Sequence, residues 1–424
     1  MRMNWSDKTR AALLRCLGAE DFRAAADALR DLSSGDWERL VRKSVNHHVA
    51  PLLYRSLKRL GPDVDVPDNV SSRLRGIYQT NTVKNLRVYH ELGTVLRGLT
   101  MDGVPVIVLK GAHLARFVYG DIGLRQMCDV DILVRKPDLM KTQDRLLGMG
   151  YHLPEFTRNN LVHLFPFSKP GVLRMEVHWT LTPETDPLTI DVEGLWERAC
   201  PVQIGGGEAL LLSPEDLLLH QCLHAAYTHG FVLGLKPFCD IAETIRHHGS
   251  RIDWVRMRSS ARRWKTERCV AVVLCLLEEL LAMSAPLRLT GSFEAGGSDA
   301  EFVAIARQQI FSVEDDSGTA TASLKRSLKP WGRDGFIEKA HRLLKILFLP
   351  PENMRAKYQT ERLLLSYLIR PFDLLARYLP SARRDSKRES KADGQMLVAL
   401  KRIENANVIK NWIDSGSSRH DSNP

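Results

Sequence analysis

The sequence predicts a small α/β or α+β domain near residues 101–205, set between helical regions. Three observations predict it. Residues 1–100 carry helical periodicity, with Leu86, Tyr89, Leu92, Leu96 and Leu99 recurring on one stripe before a break at Gly103–Val104–Pro105. After the break, short apolar runs suited to strands alternate with helical stretches. Beyond a turn at Gly205–Gly206–Gly207, helical patterns resume.

Taken in order, residues 104–109 (VPVIVL) read as a strand, 112–118 as a short helix and 128–134 as a second strand. Residues 137–149 read as a helix, and 161–168 and 172–179 as two neighbouring strands. Helix resumes at LSPEDLLLHQCLHAAYTHG, where Ser213 suits the N-cap and Glu215 and Asp216 the first turn. Helical patterns continue through 235–283, and 286–299 has linker composition. Residues 335–380 are helical in pattern, broken at Pro350–Pro351 and Pro371. From Ser381 the chain is charged and Ser-rich, ending in a short amphipathic stretch near 395–413. The organisation expected is a helical region over 1–100, a core over 101–205 and helices packing on it over 206–283. A linker with C-terminal helices follows over 284–380, and a mostly mobile charged tail over 381–424.

A chain of 424 residues calls for two or three folded units rather than one core. The formal charge of +10 suits an anionic ligand without choosing among nucleotide, nucleic acid and acidic membrane. Seven cysteines, an odd number with no CxxC pair, argue against a disulfide framework and for a reducing compartment. The N-terminus lacks the apolar core and cleavage site of a signal peptide, and no apolar run reaches the roughly 18–20 residues of a transmembrane helix. The expectation is a cytoplasmic protein without a transmembrane segment. Residues 342–379 mix apolar and basic side chains, which suits peripheral contact with an anionic membrane or, more commonly, intramolecular helix packing.

The informative stretch is GLRQMCDVDILV, residues 123–134. Asp129 and Asp131 stand two apart on a strand, so they share a face with Cα atoms roughly 6.5–7 Å apart. Cys128, Val130, Ile132 and Val134 then form an apolar opposite face. Two like charges on a half-buried strand repel, and a bound cation resolves the repulsion. Upstream, VIVLKGAHL places Lys110 and Gly111 where a strand gives way to a helix. Glycine there permits close backbone approach to a ligand, and helix N-terminal amides favour phosphate. Downstream, LRMEVHWTL places Glu176 and His178 on one face of another strand. Two carboxylates on one strand and a third on its neighbour can hold two Mg²⁺ ions about 3.5–4 Å apart, with Mn²⁺ as a substitute. Lys110 and Arg125 supply fixed positive charge for phosphate oxygens.

Each residue has a plainer reading. A DxD pair also occurs at solvated strand ends and in nucleotide-sugar glycosyltransferases. Arg125 can brace the site by pairing with an aspartate, and Glu176 can pair with Arg174 or Arg116 on the surface. Cys128 reads as core, and His178 as packed behind the ligands beside Trp179. His220 and His224 have a spacing that zinc sites use, but no glutamate follows His220, so the metalloprotease motif is absent. A helix packed on the core, with His224 facing the ligand, is the favoured reading there.

The run LKGAHLARFVYGDIGLRQMCDVDILV, followed by EVHW and LSPEDLLLHQCLHAA, resembles a bacterial nucleotidyltransferase family often left uncharacterised, a branch of the polymerase-β-like superfamily. The resemblance runs from about Trp37, through NHHVAPLLYRSLKRLG, to about Ile245, and more loosely to about residue 380. It implies an α+β fold with a small mixed-sheet core flanked by N- and C-terminal helical regions. It makes Asp129, Asp131 and Glu176 the catalytic, metal-binding carboxylates, with Lys110, Gly111 and Arg125 on the substrate side. Lys110–Gly111 stands where the superfamily usually has glycine–serine. The implied activity is transfer of a nucleoside monophosphate from a nucleoside triphosphate such as ATP to an unidentified acceptor hydroxyl or phosphate, with Mg²⁺, releasing pyrophosphate. The alternatives are an inactive nucleotide-binding or interaction module of the same fold and a DxD glycosyltransferase.

Overall fold

The computed structural model describes residues 7–18, 22–153, 162–164, 166–283, 299–315, 402 and 404–415. Nearly all of them belong to one compact unit, Met1–Glu155 with Asn160–Glu314 and Glu404–Pro424. The second unit, Phe156–Asn159 with Asp315–Ile403, is outside the described residues except for Asp315 and Arg402. The helices expected over 335–380, the membrane-suited stretch 342–379 and most of the linker at 286–299 therefore also fall outside them.

Among the described residues of the first hundred the chain is mainly helical, as its periodicity predicts: α1 (Lys8–Gly18), α2 (Phe22–Arg30), α3 (Ser34–Asn46), α4 (Ala50–Leu60) and α5 (Asp68–Met101). Ser33 and Asp36 close a reciprocal capping box at the start of α3, satisfying two donors the helix cannot bond itself. At 34 residues α5 is about 50 Å long. Its second half buries Val88, Tyr89, Leu92, Val95, Leu96 and Leu99. Leu86, predicted on that stripe, is instead 57% exposed. Asn81 and Asn85 take buried places on α5 because their amides bond loop carbonyls.

The sheet is mixed and five-stranded, so the fold is α+β. Its strands are β1 (Ile107–Val108), β2 (Asp129–Leu133), β3 (Arg174–His178), β4 (Cys200–Ile204) and β5 (Gly207–Leu211), in the order β3-β2-β1-β5-β4. β1 runs antiparallel to β2 and parallel to β5, while β2 and β3 are parallel. The strand predicted over 104–109 is only two residues long by its ladder. Bonds from Leu109 N to Asp131 O (3.0 Å) and from Leu210 N to Val106 O (2.8 Å) continue its pairing at each end. The turn at Gly205–Gly206 joins β4 to β5, which lies inside the sheet beside β1, so the sheet continues past residue 205 to Leu211. Of the strand predicted over 161–168, the described residues make isolated bridges: His163 to His178, Phe167 to Met175 and Ser168 to His152.

The remaining helices are α6 (Lys110–Phe117), α7 (Leu139–Gly148), α8 (Val192–Arg198), α9 (Pro214–Leu223), α10 (Lys236–His248), α11 (Trp254–Arg263), α12 (Glu267–Leu281) and α13 (Ala300–Phe311). Ser213 caps α9 as predicted, accepting from Asp216 N. A turn of π-helix, His224–Thr228, continues α9. One apolar cluster joins the second half of α5 to the sheet through Val108, Ile132, Val177 and Ile204. A second joins α1–α4 to α9–α13. The amphipathic stretch near the C-terminus is helical over 404–415 (α14), and it buries Ile409, Trp412 and Ile413 in that second cluster. Among the described residues no helix is long and apolar enough to cross a membrane.

α5 approaches the β4–β5 turn closely. A Cβ on Gly93 would lie 2.7 Å from Gly205 Cα, and Gly205 itself has φ +57°. Gly93→Ala is expected to destabilise the protein by about 1–3 kcal/mol, because backbone on both sides must move. On the same helix Gly76 meets nothing within 4 Å. Gly76→Ala is expected to stabilise by about 0.5–1 kcal/mol. Denaturant titration of both variants reads the two signs.

Candidate active site

The parallel register of β2 and β3 sets Asp131 opposite Glu176, Asp129 opposite Arg174 and Leu133 opposite His178. Strand alternation puts both aspartates on one face of β2, while Val130 and Ile132 are buried on the other. Cys128 does not join them. It precedes the first strand residue, so alternation does not reach it, and its side chain is exposed beside the carboxylates.

Asp131 is 1% exposed. Its Oδ1 accepts from Lys110 Nζ at 2.8 Å and from His178 Nε2 at 3.0 Å. An ionised carboxylate can only accept, so His178 carries its proton on Nε2 here. Burial raises the pKa of Asp131, but Lys110 and His178 outweigh it and hold the group well below the ordinary carboxylate range. Glu176 Oε2 lies 3.7 Å from His178 Nε2 and 3.8 Å from His163 Nε2. His178 lowers its pKa against the opposing effect of burial. Asp129 has no ion-pair partner among the described residues, and burial, then Asp131 and Glu176, raise its pKa. Ligand atoms of Asp131, Glu176 and His178 lie within 4.8 Å of one another, which fits a divalent cation.

Lys110 begins α6 at φ +40°, a left-handed conformation that costs a non-glycine residue about 1–3 kcal/mol. Burial opposes its charge, but Asp131 first, then Glu176 and Asp129, keep its pKa above the ordinary lysine value. The space beside Gly111 is taken by the protein itself: a Cβ there would lie 2.7 Å from Arg125 Nη1 and 3.1 Å from Met127 Cγ.

Arg125 is a brace. Its Nε and Nη2 donate to the two carboxylate oxygens of Asp240, each at 2.9 Å, and Tyr119 OH donates to Asp240 Oδ1 at 2.9 Å. The loop carrying Arg125 is tied to α5 by Asn81 Nδ2 to Gly123 O (2.8 Å), Asn85 Nδ2 to Arg125 O (2.8 Å) and Lys84 Nζ to Met127 O (2.7 Å). Sequence reasoning does not find Asp240, His163 or Lys236. The usable signal for Asp240 is a carboxylate within the apolar run PFCDIA, where a buried charge demands a partner.

A cavity of about 270 Å³ gathers Lys110, Gly111, Asp129, Asp131 and Glu176 with Arg125 and Lys236. His220, His224 and His229 line its other wall. The predicted zinc-type spacing leaves the His220 and His224 rings 6.2 Å apart, whereas His224 Nε2 and His229 Nε2 are within 3.1 Å. Burial, then the Lys110 charge, push His220 down to about 3; burial likewise pushes His229 down to about 4 and His224 well below its ordinary value. All three imidazoles are therefore neutral at pH 7.

A family model described as an uncharacterised nucleotidyltransferase matches residues 33–282, more than half of the chain. An antigenic nucleotidyltransferase-like protein from Paracoccidioides brasiliensis is similar at 14% identity, over 47% of this chain and 94% of that one, with a TM-score of 0.28. No curated protein matches the chain.

The two aspartates should behave oppositely when neutralised. Asp129→Asn removes a charge that burial and its neighbours disfavour, so the metal-free protein should become more stable. Asp131→Asn strands the Lys110 ammonium and should cost about 3 kcal/mol. Denaturant titration in chelator at pH 7 measures both. The histidines set a pH dependence. Unfolded, His220 titrates near 6.5; folded, it stays neutral to about 3. Unfolding therefore takes up protons below 6.5, and stability is lost as pH falls from there towards 4. His220→Gln should flatten that slope by about 1.4 kcal/mol per pH unit.

Proposed function

Since the chain belongs to the uncharacterised nucleotidyltransferase family, we propose that it moves a nucleoside monophosphate from a nucleoside triphosphate to an acceptor hydroxyl or phosphate. The observation that carries this reading is the pairing of Asp131 with Glu176 across β2 and β3, with the Lys110 ammonium on Asp131, in one cavity. Carboxylates that need a cation and a lysine that attracts an anion stand together, and a metal-bound triphosphate answers both needs.

Asp129, Asp131 and Glu176 would hold the cation, with His178 orienting Asp131 through its Nε2 proton. Bound Mg²⁺, or Mn²⁺ in its place, supplies positive charge against the triphosphate and acidifies an acceptor hydroxyl. In the transfer the acceptor oxygen forms a bond to the α-phosphorus while the bond from that phosphorus to the bridging oxygen breaks, and pyrophosphate leaves. A hydroxyl acceptor gives its proton to Glu176, which is ionised at neutral pH and only half-buried. A phosphate acceptor brings no proton to remove. Lys110, fixed by Asp131 and by its own strained backbone, holds phosphate oxygens against the carboxylates' repulsion. Arg125 fixes the loop that delivers β2 through the two bonds its Nε and Nη2 make to Asp240.

The test supplies α-phosphate-labelled nucleoside triphosphates, Mg²⁺ and cell extract separated into small molecules, RNA and protein. Label should enter one fraction as pyrophosphate appears. Asp129→Asn and Asp131→Asn should each slow this at least about a hundredfold while remaining folded. Undiminished transfer by either variant removes the carboxylate mechanism. Consumption of a nucleotide-sugar without pyrophosphate would mark a glycosyltransferase.

A further inference from the structure

Lys236 is the first residue of α10, and it lines the same cavity as Asp129, Asp131 and Lys110. The other lysine and arginine side chains on that cavity each have a carboxylate partner. Lys110 Nζ lies 2.8 Å from Asp131, and Arg125 makes two bonds of 2.9 Å to Asp240. Lys236 has no hydrogen-bond or ion-pair partner among the described residues. Its surroundings do not supply a neutralising charge. Burial, then the Arg125 guanidinium, push its pKa below the ordinary lysine value, with Asp240, Cys128 and Asp129 opposing. Asp240 already answers to Arg125 and Tyr119. Asp129 stands on the carboxylate face and makes no pair with Lys236.

A partly buried ammonium without a counter-ion lowers stability. Such a group is retained where a ligand provides the missing charge. We propose that Lys236 is the second cation, with Lys110, that holds the polyphosphate tail of the bound nucleoside triphosphate, the role the sequence alone assigns to Arg125. The proposal rests on the nucleotide-transfer reading above and adds to it the residue that distinguishes a triphosphate from a monophosphate. A monophosphate is served by Lys110 and the metal-holding carboxylates; the additional phosphates need a further donor. An ammonium also suits phosphate as a rotatable point charge with three donors, so it tolerates the tail of either the substrate or departing pyrophosphate.

Calorimetric titration with Mg²⁺ complexes of the four common nucleoside triphosphates, their monophosphates and inorganic tripolyphosphate tests the assignment. Lys236→Met should weaken triphosphate and tripolyphosphate about ten- to a hundredfold, the loss of a charge-assisted contact, and monophosphate less than threefold. Its melting temperature without ligand should equal or exceed that of the parent, because the unpaired charge is gone. Lys236→Arg should recover most of the triphosphate affinity. Undiminished triphosphate binding by Lys236→Met overturns the proposal, as does equal weakening of mono- and triphosphate. A lowered melting temperature together with weaker binding of every ligand also overturns it, since Lys236 would then be scaffolding. Failure of the parent protein to bind any nucleotide while tripolyphosphate binding depends on Lys236 would sink the nucleotide reading instead.

Discussion

The Asp131 carboxylate is almost fully buried, and the site depends on how its charge is met. Taking a carboxylate and an ammonium out of water costs several kcal/mol each, and their attraction compensates only with good geometry and further hydrogen bonds. Here Lys110 and His178 both converge on Oδ1. That demand explains features that are otherwise costly. Lys110 accepts a left-handed backbone as β1 turns into α6, where its ammonium meets Asp131. The parallel pairing of β2 with β3 brings His178 and Glu176 from a segment more than forty residues away in sequence. A shift of that register by one residue would turn Glu176 and His178 to the other face and leave Asp131 with Lys110 alone.

A second buried ion pair holds the first in place. Arg125 and Asp240 clamp the loop before β2 to α10, and α5 fastens the same loop from behind through asparagine amides. The sheet that carries the carboxylates is thus fixed from a helix that precedes it and a helix that follows it. The family match, residues 33–282, takes in both of these helices along with the sheet. The helical flanks are part of the site's construction.

How much of this was legible follows from the range of the interactions. The strands carrying Asp129, Asp131 and Glu176 have local signatures, since alternation and apolar neighbours mark them; the cluster that β2 and β3 assemble is Asp131, Glu176 and His178, with Asp129 beside it on β2. The Ser213 cap and the helical first hundred residues are equally local. What the sequence conceals is pairing at a distance. β5 is a central strand but reads as the end of a turn, because GEALL has no strong β pattern and its place depends on β1. Cys128 looks like core by extrapolating alternation one residue beyond the strand. Gly111 signals a close approach, yet only the fold reveals that Arg125 is what approaches. The partner of Arg125 is equally hidden, since Asp240 comes from α10, some 115 positions later.

Asp129 and Lys236 complete the argument, because they are strained in opposite senses within one cavity. Burial raises the pKa of the carboxylate and lowers that of the ammonium, so each charge is held where it is disfavoured. Direct pairing would relieve both, yet the fold keeps them apart among the described residues. A site optimised for stability would pair them or replace them with apolar groups, as buried ion pairs often can be. Retaining both unpaired places one cationic and one anionic demand on the same small volume. A simple anion meets only the lysine, and a bare cation meets only the aspartate. On the proposed reading, a ligand that carries its own metal ion on a polyphosphate would meet both at once, and the stability forgone by leaving them unpaired would become affinity for that combination.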